Sequence, residues 1–149
     1  MIAALRAVAL ADLDVFYDQQ LDSQACAMAA FPARSRPAFD AHWSRVLSDP
    51  TTVTRTITVD GETVGYVACF GAVGEREVAY WLGRRFWGHG IATAALAQLV
   101  AELVERPLHA MVAEHNHASV RVLEKLGFER VGLEPADDGV TLIHLRFDC

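Results

Sequence analysis

The sequence predicts a single α+β (mixed α/β) domain in which a central mixed, mostly antiparallel sheet is flanked by helices. Three observations carry this. A period-two run at 53–59 is joined through Asp60-Gly61 to an apolar run at 64–70, and a third run, Glu77–Leu82, follows a break at 71–74. Helical spacing of apolar residues appears both before and after this meander. One strand-helix-strand passage, from 77–82 through 92–103 to 108–113, supplies a crossover that an antiparallel meander lacks.

In chain order, residues 3–9 can form a first strand. Asp12 is an early helix residue leading into Leu13, Phe16, Tyr17 and Leu21, which share one helical face. A second helix is expected within 37–47, where Phe39, Trp43, Val46 and Leu47 recur at i, i+4, i+7 and i+8. The stretch between them, with Met28, Phe31 and Pro32, fits neither period. In the next run Val53, Arg55, Ile57 and Val59 share one face and threonines occupy the other. Asp60-Gly61 supplies the two φ > 0 residues of a tight hairpin turn. Ala92, Leu96, Leu99 and Leu103 mark the crossover helix, which Pro107 closes. Leu108–Ala113 reads as a short buried strand. A helix over 117–126 ends at Gly127-Phe128, where the glycine can turn left-handed and Phe128 can pack back on Leu123. A hairpin of 128–133 with 140–147 finishes the chain. No repeat, low-complexity stretch or linker interrupts it, so 1–149 reads as one domain.

Composition narrows the function classes. With 149 residues, 52% hydrophobic and 21% charged, the chain can bury a core without a disulfide or metal staple. A net charge of -6 argues against nucleic acid as the main partner, since phosphate-backbone binding relies on a dense Lys/Arg field. Cys26, Cys69 and Cys149 are far apart and form no C-x-x-C pair. Arg6, Asp12 and Asp14 interrupt the start before an apolar stretch of signal length develops, and no run is long enough to span a bilayer. The expectation is a reduced, cytoplasmic protein with no membrane partner. Glu114, His115 and His117 lack a fourth ligand and zinc-like spacing, so no metal is expected.

The most specific chemistry lies in Tyr80-Trp81-Leu82-Gly83-Arg84-Arg85-Phe86-Trp87-Gly88-His89-Gly90-Ile91-Ala92-Thr93, a strand that turns through glycines into a helix. Such a turn points free backbone N–H groups and the positive helix end at one place, where a pyrophosphate can bind. Backbone dipoles then do the neutralising that an acidic chain otherwise lacks, with Arg84, Arg85 or His89 as helpers. A bare strand-to-helix turn explains the glycines equally well. A nicotinamide site with Glu114 as ribose acid also competes, although Thr93 replaces the third glycine of the fingerprint and the glycines do not directly follow the strand. A phosphate-loop NTPase is excluded, because no G-K-[ST] occurs.

Trp87-Gly88-His89-Gly90-Ile91-Ala92 resembles the pyrophosphate loop of the GNAT superfamily of N-acetyltransferases, with Trp87 in the first position as in its ribosomal-protein N-terminal acetyltransferase (Rim-type) branch. Asn116-His117-Ala118-Ser119-Val120-Arg121-Val122-Leu123-Glu124-Lys125-Leu126-Gly127-Phe128 is similar to that branch's N-x-x-S-x-R-V-L-E-K-x-G-F signature. The two motifs stand in the family's order and spacing. The resemblance implies a GNAT-like fold with a splayed strand pair, Glu77–Leu82 and Leu108–Ala113, and acetyl-CoA lying between them. It implies that Tyr80, Trp81 and Leu82 hold the pantetheine arm, and that Trp87, Gly88, His89, Gly90, Ile91, Ala92 and Thr93 wrap the pyrophosphate. Asn116 and Ser119 would contact the arm.

Acetyl transfer to an amine needs a neutral nucleophile, a site for the oxyanion and help for the departing thiolate. The Leu82 N–H is the candidate oxyanion donor, a role worth roughly 3 kcal/mol elsewhere. Many family members protonate the thiolate with a tyrosine whose matching position here is Leu123. Ser119 is the replacement candidate, and an ordinary first-turn residue after the Asn116 N-cap is the alternative. Glu77 is the candidate base, with a solvated strand-edge glutamate as its alternative. Trp81, Trp87, Phe70 and Tyr66 read as core. Phe31, His42 and Trp43 are candidate acceptor-pocket residues. The acceptor is a small-molecule amine or a protein N-terminus, and a second copy of the chain is a further candidate partner. A CoA-binding module without chemistry is the competing function.

Overall fold

The computed structural model describes residues 2–136 and 139–149. Its elements are β1 (Ala3–Arg6), α1 (Asp12–Gln20), α2 (Ser23–Ala29), α3 (Arg36–Ser48), β2 (Val53–Val59), β3 (Glu62–Phe70), β4 (Glu77–Leu82), a 3-10 turn (Arg84–Phe86), α4 (Ile91–Glu102), β5 (Leu108–Ala113), α5 (His117–Lys125), β6 (Glu129–Pro135) and β7 (Thr141–Phe147). The strands form one sheet in the order β1-β2-β3-β4-β5-β7-β6, antiparallel throughout except between β4 and β5.

Local chemistry sets most boundaries. Asp60 (φ 51°) and Gly61 (φ 80°) make the tight β2–β3 turn. At the end of α5, Gly127 takes φ 104°, Phe128 N–H donates to Leu123 C=O and Gly127 N–H to Glu124 C=O, both at 3.1 Å, which is the Schellman pattern. The stretch of ambiguous period contains α2, which is capped at one end by the Asp22 carboxylate accepting Ala25 N–H (2.9 Å) and at the other by left-handed Ala30. The first strand stops at Arg6, because the chain must turn so that the Asp12 carboxylate can reach back beneath it.

Two cores cover the two faces of the sheet. On one, Val64, Val78 and Leu82 pack with Leu96 and Leu99 of α4 and Val120 and Leu123 of α5. On the other, Phe16 of α1 and Phe39 and Trp43 of α3 pack against Tyr66. The threonine face of β2 is not a solvent face: Thr56 is fully buried and donates to Asp12 Oδ2 at 2.8 Å. Phe70 and Trp81 depart from the core reading, Phe70 being 38% exposed and Trp81 half-buried.

The site depends on how β4 meets its neighbours. Gly65 lies so close to β4 that a Cβ there would sit 2.1 Å from the Trp81 carbonyl oxygen, so only glycine fits. On the other side, β4 and β5 share a single bridge, Glu77 with His109, where His109 N–H donates to Arg76 C=O at 2.8 Å. Beyond it the strands part. Buried Arg76 pins this point by donating to Gly71 C=O (2.9 Å) and pairing with Glu105 (2.8 Å), just before β5.

Candidate active site

The splay leaves backbone groups of β4 without a strand partner. Gly83 N–H donates to Val64 C=O at 3.0 Å, and Tyr66 and Gly65 lie opposite Trp81 and Leu82. Antiparallel alternation therefore turns the N–H and C=O of Ala79 and Trp81 toward β3, and those of Tyr80 and Leu82 into the gap. The Leu82 carbonyl accepts the Trp87 indole N–H at 2.9 Å, which fastens the following loop to the mouth of the gap. The Leu82 N–H faces the gap, whereas the backbone of Trp81 is spent on β3.

At the mouth, the 3-10 turn reverses the chain, and Gly88 (φ 79°) and Gly90 (φ 76°) bring it into α4. Both need positive φ, and a Cβ at either would meet nothing within 4 Å, so the loop borders open space. The first helical bond of α4 runs from Ala94 N–H to Gly90 C=O (3.1 Å), which leaves the N–H groups of Ile91, Ala92 and Thr93 without helical partners. A cavity of about 370 Å³ joins this loop to the gap. Its walls are Tyr80, Trp81 and Leu82 of β4, the 86–93 loop without His89, Ala25, Met28 and Ala29 of α2, and Asn116, Ala118, Arg121, Val122 and Lys125 around α5. The His115 Nε2–H donates to Ala27 C=O (2.8 Å) and holds α2 over the cavity.

On the α5 side, Asn116 caps the helix, its side-chain oxygen accepting Ser119 N–H at 3.3 Å. Ser119 is 8% exposed and stands behind Tyr80, whose phenol donates to Ser119 Oγ at 3.1 Å. Burial pushes the Tyr80 phenol above its ordinary pKa, and the bond to Ser119 opposes this. Leu123 is buried in the core with Phe128. No phenol comes from α5, therefore, but one arrives from β4. The sequence carried a signal for it, since Tyr80 and Leu82 are two apart on one strand and must share a face.

The remaining candidates are dispersed. Glu77 lies at the apex of the splay beside His109; burial raises its carboxyl pKa, Glu134 adds to the rise, and His109 and His144 oppose it. Trp43 is 3% exposed inside the aromatic cluster with Phe16 and Tyr66, so it is a core residue and not a pocket wall. Phe31 is 47% exposed with the Arg34 guanidinium over its ring, and half-buried His42 stacks edge-on to Trp43. Neither lines the cavity. His89 is exposed. Among the described residues no three His, Cys, Asp or Glu groups are placed to hold a metal, and no helix is long and apolar enough to cross a membrane.

Known proteins match both the sequence and the architecture. An acetyltransferase of Pectobacterium atrosepticum is 42% identical over 78 residues, 49% of this chain and 55% of that protein, so the chain spans about half the length of that relative. Aminoglycoside acetyltransferase AAC(6')-Ib, solved in complex with coenzyme A, superposes with a TM-score of 0.84 at 20% identity over 99% of this chain and 95% of its own. Mycobacterium smegmatis RimJ, solved with CoA-disulfide, superposes at 0.81 with 24% identity over 98% and 81%. The family model described as the acetyltransferase (GNAT) domain matches residues 3–129, a span that includes the splayed strands, the glycine loop and α5. This chain belongs to the GNAT acetyltransferase domain family.

Proposed function

We propose that the domain transfers an acetyl group from acetyl-CoA to a primary amine, of a small molecule or a protein N-terminus, by direct transfer in a ternary complex. The observation that carries this reading is the alignment of unpartnered backbone N–H groups along one cavity, from Leu82 in the gap to Ile91, Ala92 and Thr93 at the start of α4. The residues present fit the cofactor: open space over Gly88 and Gly90 admits a pyrophosphate against the helix end, and the gap beside β4 admits an extended arm. Asn116, Arg121 and Lys125 close the α5 side.

Acetyl-CoA supplies the acetyl group as a thioester. The Leu82 N–H would stabilise negative charge on the acetyl oxygen. The Tyr80 phenol, which lines the cavity, would supply the proton for the departing sulfur, with Ser119 behind it holding the phenol in line. The raised pKa of Tyr80 keeps that phenol protonated and able to donate. This hydroxyl pair favours an enzyme over a CoA-binding module without chemistry. Free Cys26, Cys69 and Cys149 suit a reducing, cytoplasmic setting.

The test is thiol release from acetyl-CoA with a panel of amines: aminoglycosides, polyamines, amino acids and peptides with free N-termini. Amine-dependent release with matching acetylated product supports transfer. Tight acetyl-CoA binding with no product from any class supports the module.

A further inference from the structure

On the sheet face opposite α4 and α5, the register brings together side chains that the cofactor site does not use. Glu77 lies opposite His109 on β5, and His144 on β7 lies opposite Met111, one pleat further along the same face. His109 Nδ1 and His144 Nε2 are 2.8 Å apart, with ring centroids 5.0 Å apart. Both rings and Glu77 are half-buried, and Ala79, next along β4 on that face, is exposed. The other charged groups facing the cluster are Arg146, opposite His109, and Glu129 and Glu134 of β6.

A 2.8 Å contact between imidazole nitrogens needs one N–H and one lone pair. A neutral pair therefore keeps one outer N–H and one outer lone pair, whichever tautomer is present. It can bind one proton at one outer nitrogen and, as the inner hydrogen changes owner, release one from the other. The Glu77–His109 bridge is also where the strands part, so the pair stands at the apex of the gap, on the side away from α5.

We propose that the hydrogen-bonded His109–His144 pair, backed by Glu77, accepts the proton that an ammonium acceptor loses in becoming the nucleophile. The proposal rests on the acetyl transfer proposed above. One N–H bond of R–NH3+ breaks, its electrons stay on nitrogen as the attacking lone pair, and the proton binds the free outer imidazole nitrogen of the pair. The second proton leaves nitrogen as the amide forms and ends on the departing sulfur. The sum is R–NH3+ plus acetyl thioester giving amide, thiol and one proton, which the pair returns to solvent.

The experiment is the pH profile of kcat/KM for His109→Gln, His144→Gln and the double variant, using an amine identified in the screen, together with acetyl-CoA Kd by calorimetry. The expected loss is about 100-fold at neutral pH. Each single variant should show nearly all of it, the acid limb should move to higher pH, and the gap to the parent should close where the amine is already neutral in water. Acetyl-CoA Kd should not change. Imidazole NMR on the parent should show the two rings taking up one shared proton, in a step that Glu77→Gln displaces. Rings that titrate independently, or folded variants with the parental pH profile, overturn the pair's role while acetyl transfer stands. A parent that acetylates no amine overturns the proposed function itself.

Discussion

The Tyr80 phenol donates to Ser119 Oγ at 3.1 Å and so joins β4 to the first turn of α5 across the cofactor gap. Tyr80 lines the cavity and Ser119 stands behind it, so the two hydroxyls are expected to act together. Ser119→Ala should lower kcat by roughly 10- to 100-fold, a loss of about 1.4 to 2.7 kcal/mol of transition-state stabilisation, with acetyl-CoA affinity nearly unchanged. Tyr80→Phe should lose at least as much, and the double variant should lose less than the product of the two. Parental turnover in Ser119→Ala, with chemistry shown to limit the rate, would remove Ser119 from the step, and parental turnover in the double variant would assign thiolate protonation to solvent.

Acetyl-CoA should raise thermal stability more than NAD or ATP at equal concentration, because a ligand that binds only the folded state stabilises it by mass action. At a hundredfold excess over Kd the gain is about 2.7 kcal/mol, or a rise in Tm of roughly 5–10 °C for a chain of this size. A larger shift with NAD would restore the nicotinamide reading of the glycine loop.

Gly90→Glu should abolish acetyl-CoA binding in a domain that still folds. A Cβ at this position meets no neighbour, so the cost to the fold is the left-handed φ of 76°, about 1–2 kcal/mol. The carboxylate would stand at the start of α4, where a pyrophosphate should lie. Calorimetry for binding and circular dichroism for folding check this, and normal acetyl-CoA binding in the folded variant would contradict the loop assignment.

Asp12 should make the fold acid-sensitive. Its buried carboxylate accepts hydrogen bonds from both Arg6 Nη groups (2.7 and 2.8 Å), Ala9 N–H (2.8 Å), Thr56 (2.8 Å) and Thr63 (2.9 Å). Chiefly through Arg6, these hold its pKa well below the usual carboxylate range. A lowered folded-state pKa means that the stabilisation is complete above the ordinary value of about 4 and is lost as pH falls below it through the folded value. Asp12→Asn should cost about 2–4 kcal/mol at pH 7. Denaturant titrations should show the gap to the parent narrowing below pH 4, and a gap independent of pH would remove the electrostatic explanation.

Element type and order were legible because they depend on short-range preferences. Period-two and helical spacing located β2 to β5 and α4 closely, and single glycines announced the turn at Gly61 and the helix end at Gly127. The helix α2 stayed illegible, since Ser23–Ala29 is short and made largely of small residues with little apolar period to read. Trp43 has the helical spacing of an inward-facing residue, but only the packed structure shows that Phe16 and Tyr66 cover it and leave no room for a ligand.

By itself the sequence determined the strands and helices other than α2 and the end of β1, the tight turn at Asp60-Gly61 and a glycine loop suited to an anion, because each is decided by φ/ψ preference and side-chain period within a few residues. The tertiary structure alone decided which hydroxyl meets Ser119, which carboxylate lies beneath Thr56 and which imidazole faces His109. Those partners stand 39, 44 and 35 residues apart, brought together by sheet register and helix packing. The parting of β4 from β5, which the family resemblance implied, has its physical cause there too: one bridge at Glu77 and His109, pinned by Arg76, holds the strands before they separate, and that is a property of the assembled core and not of either strand.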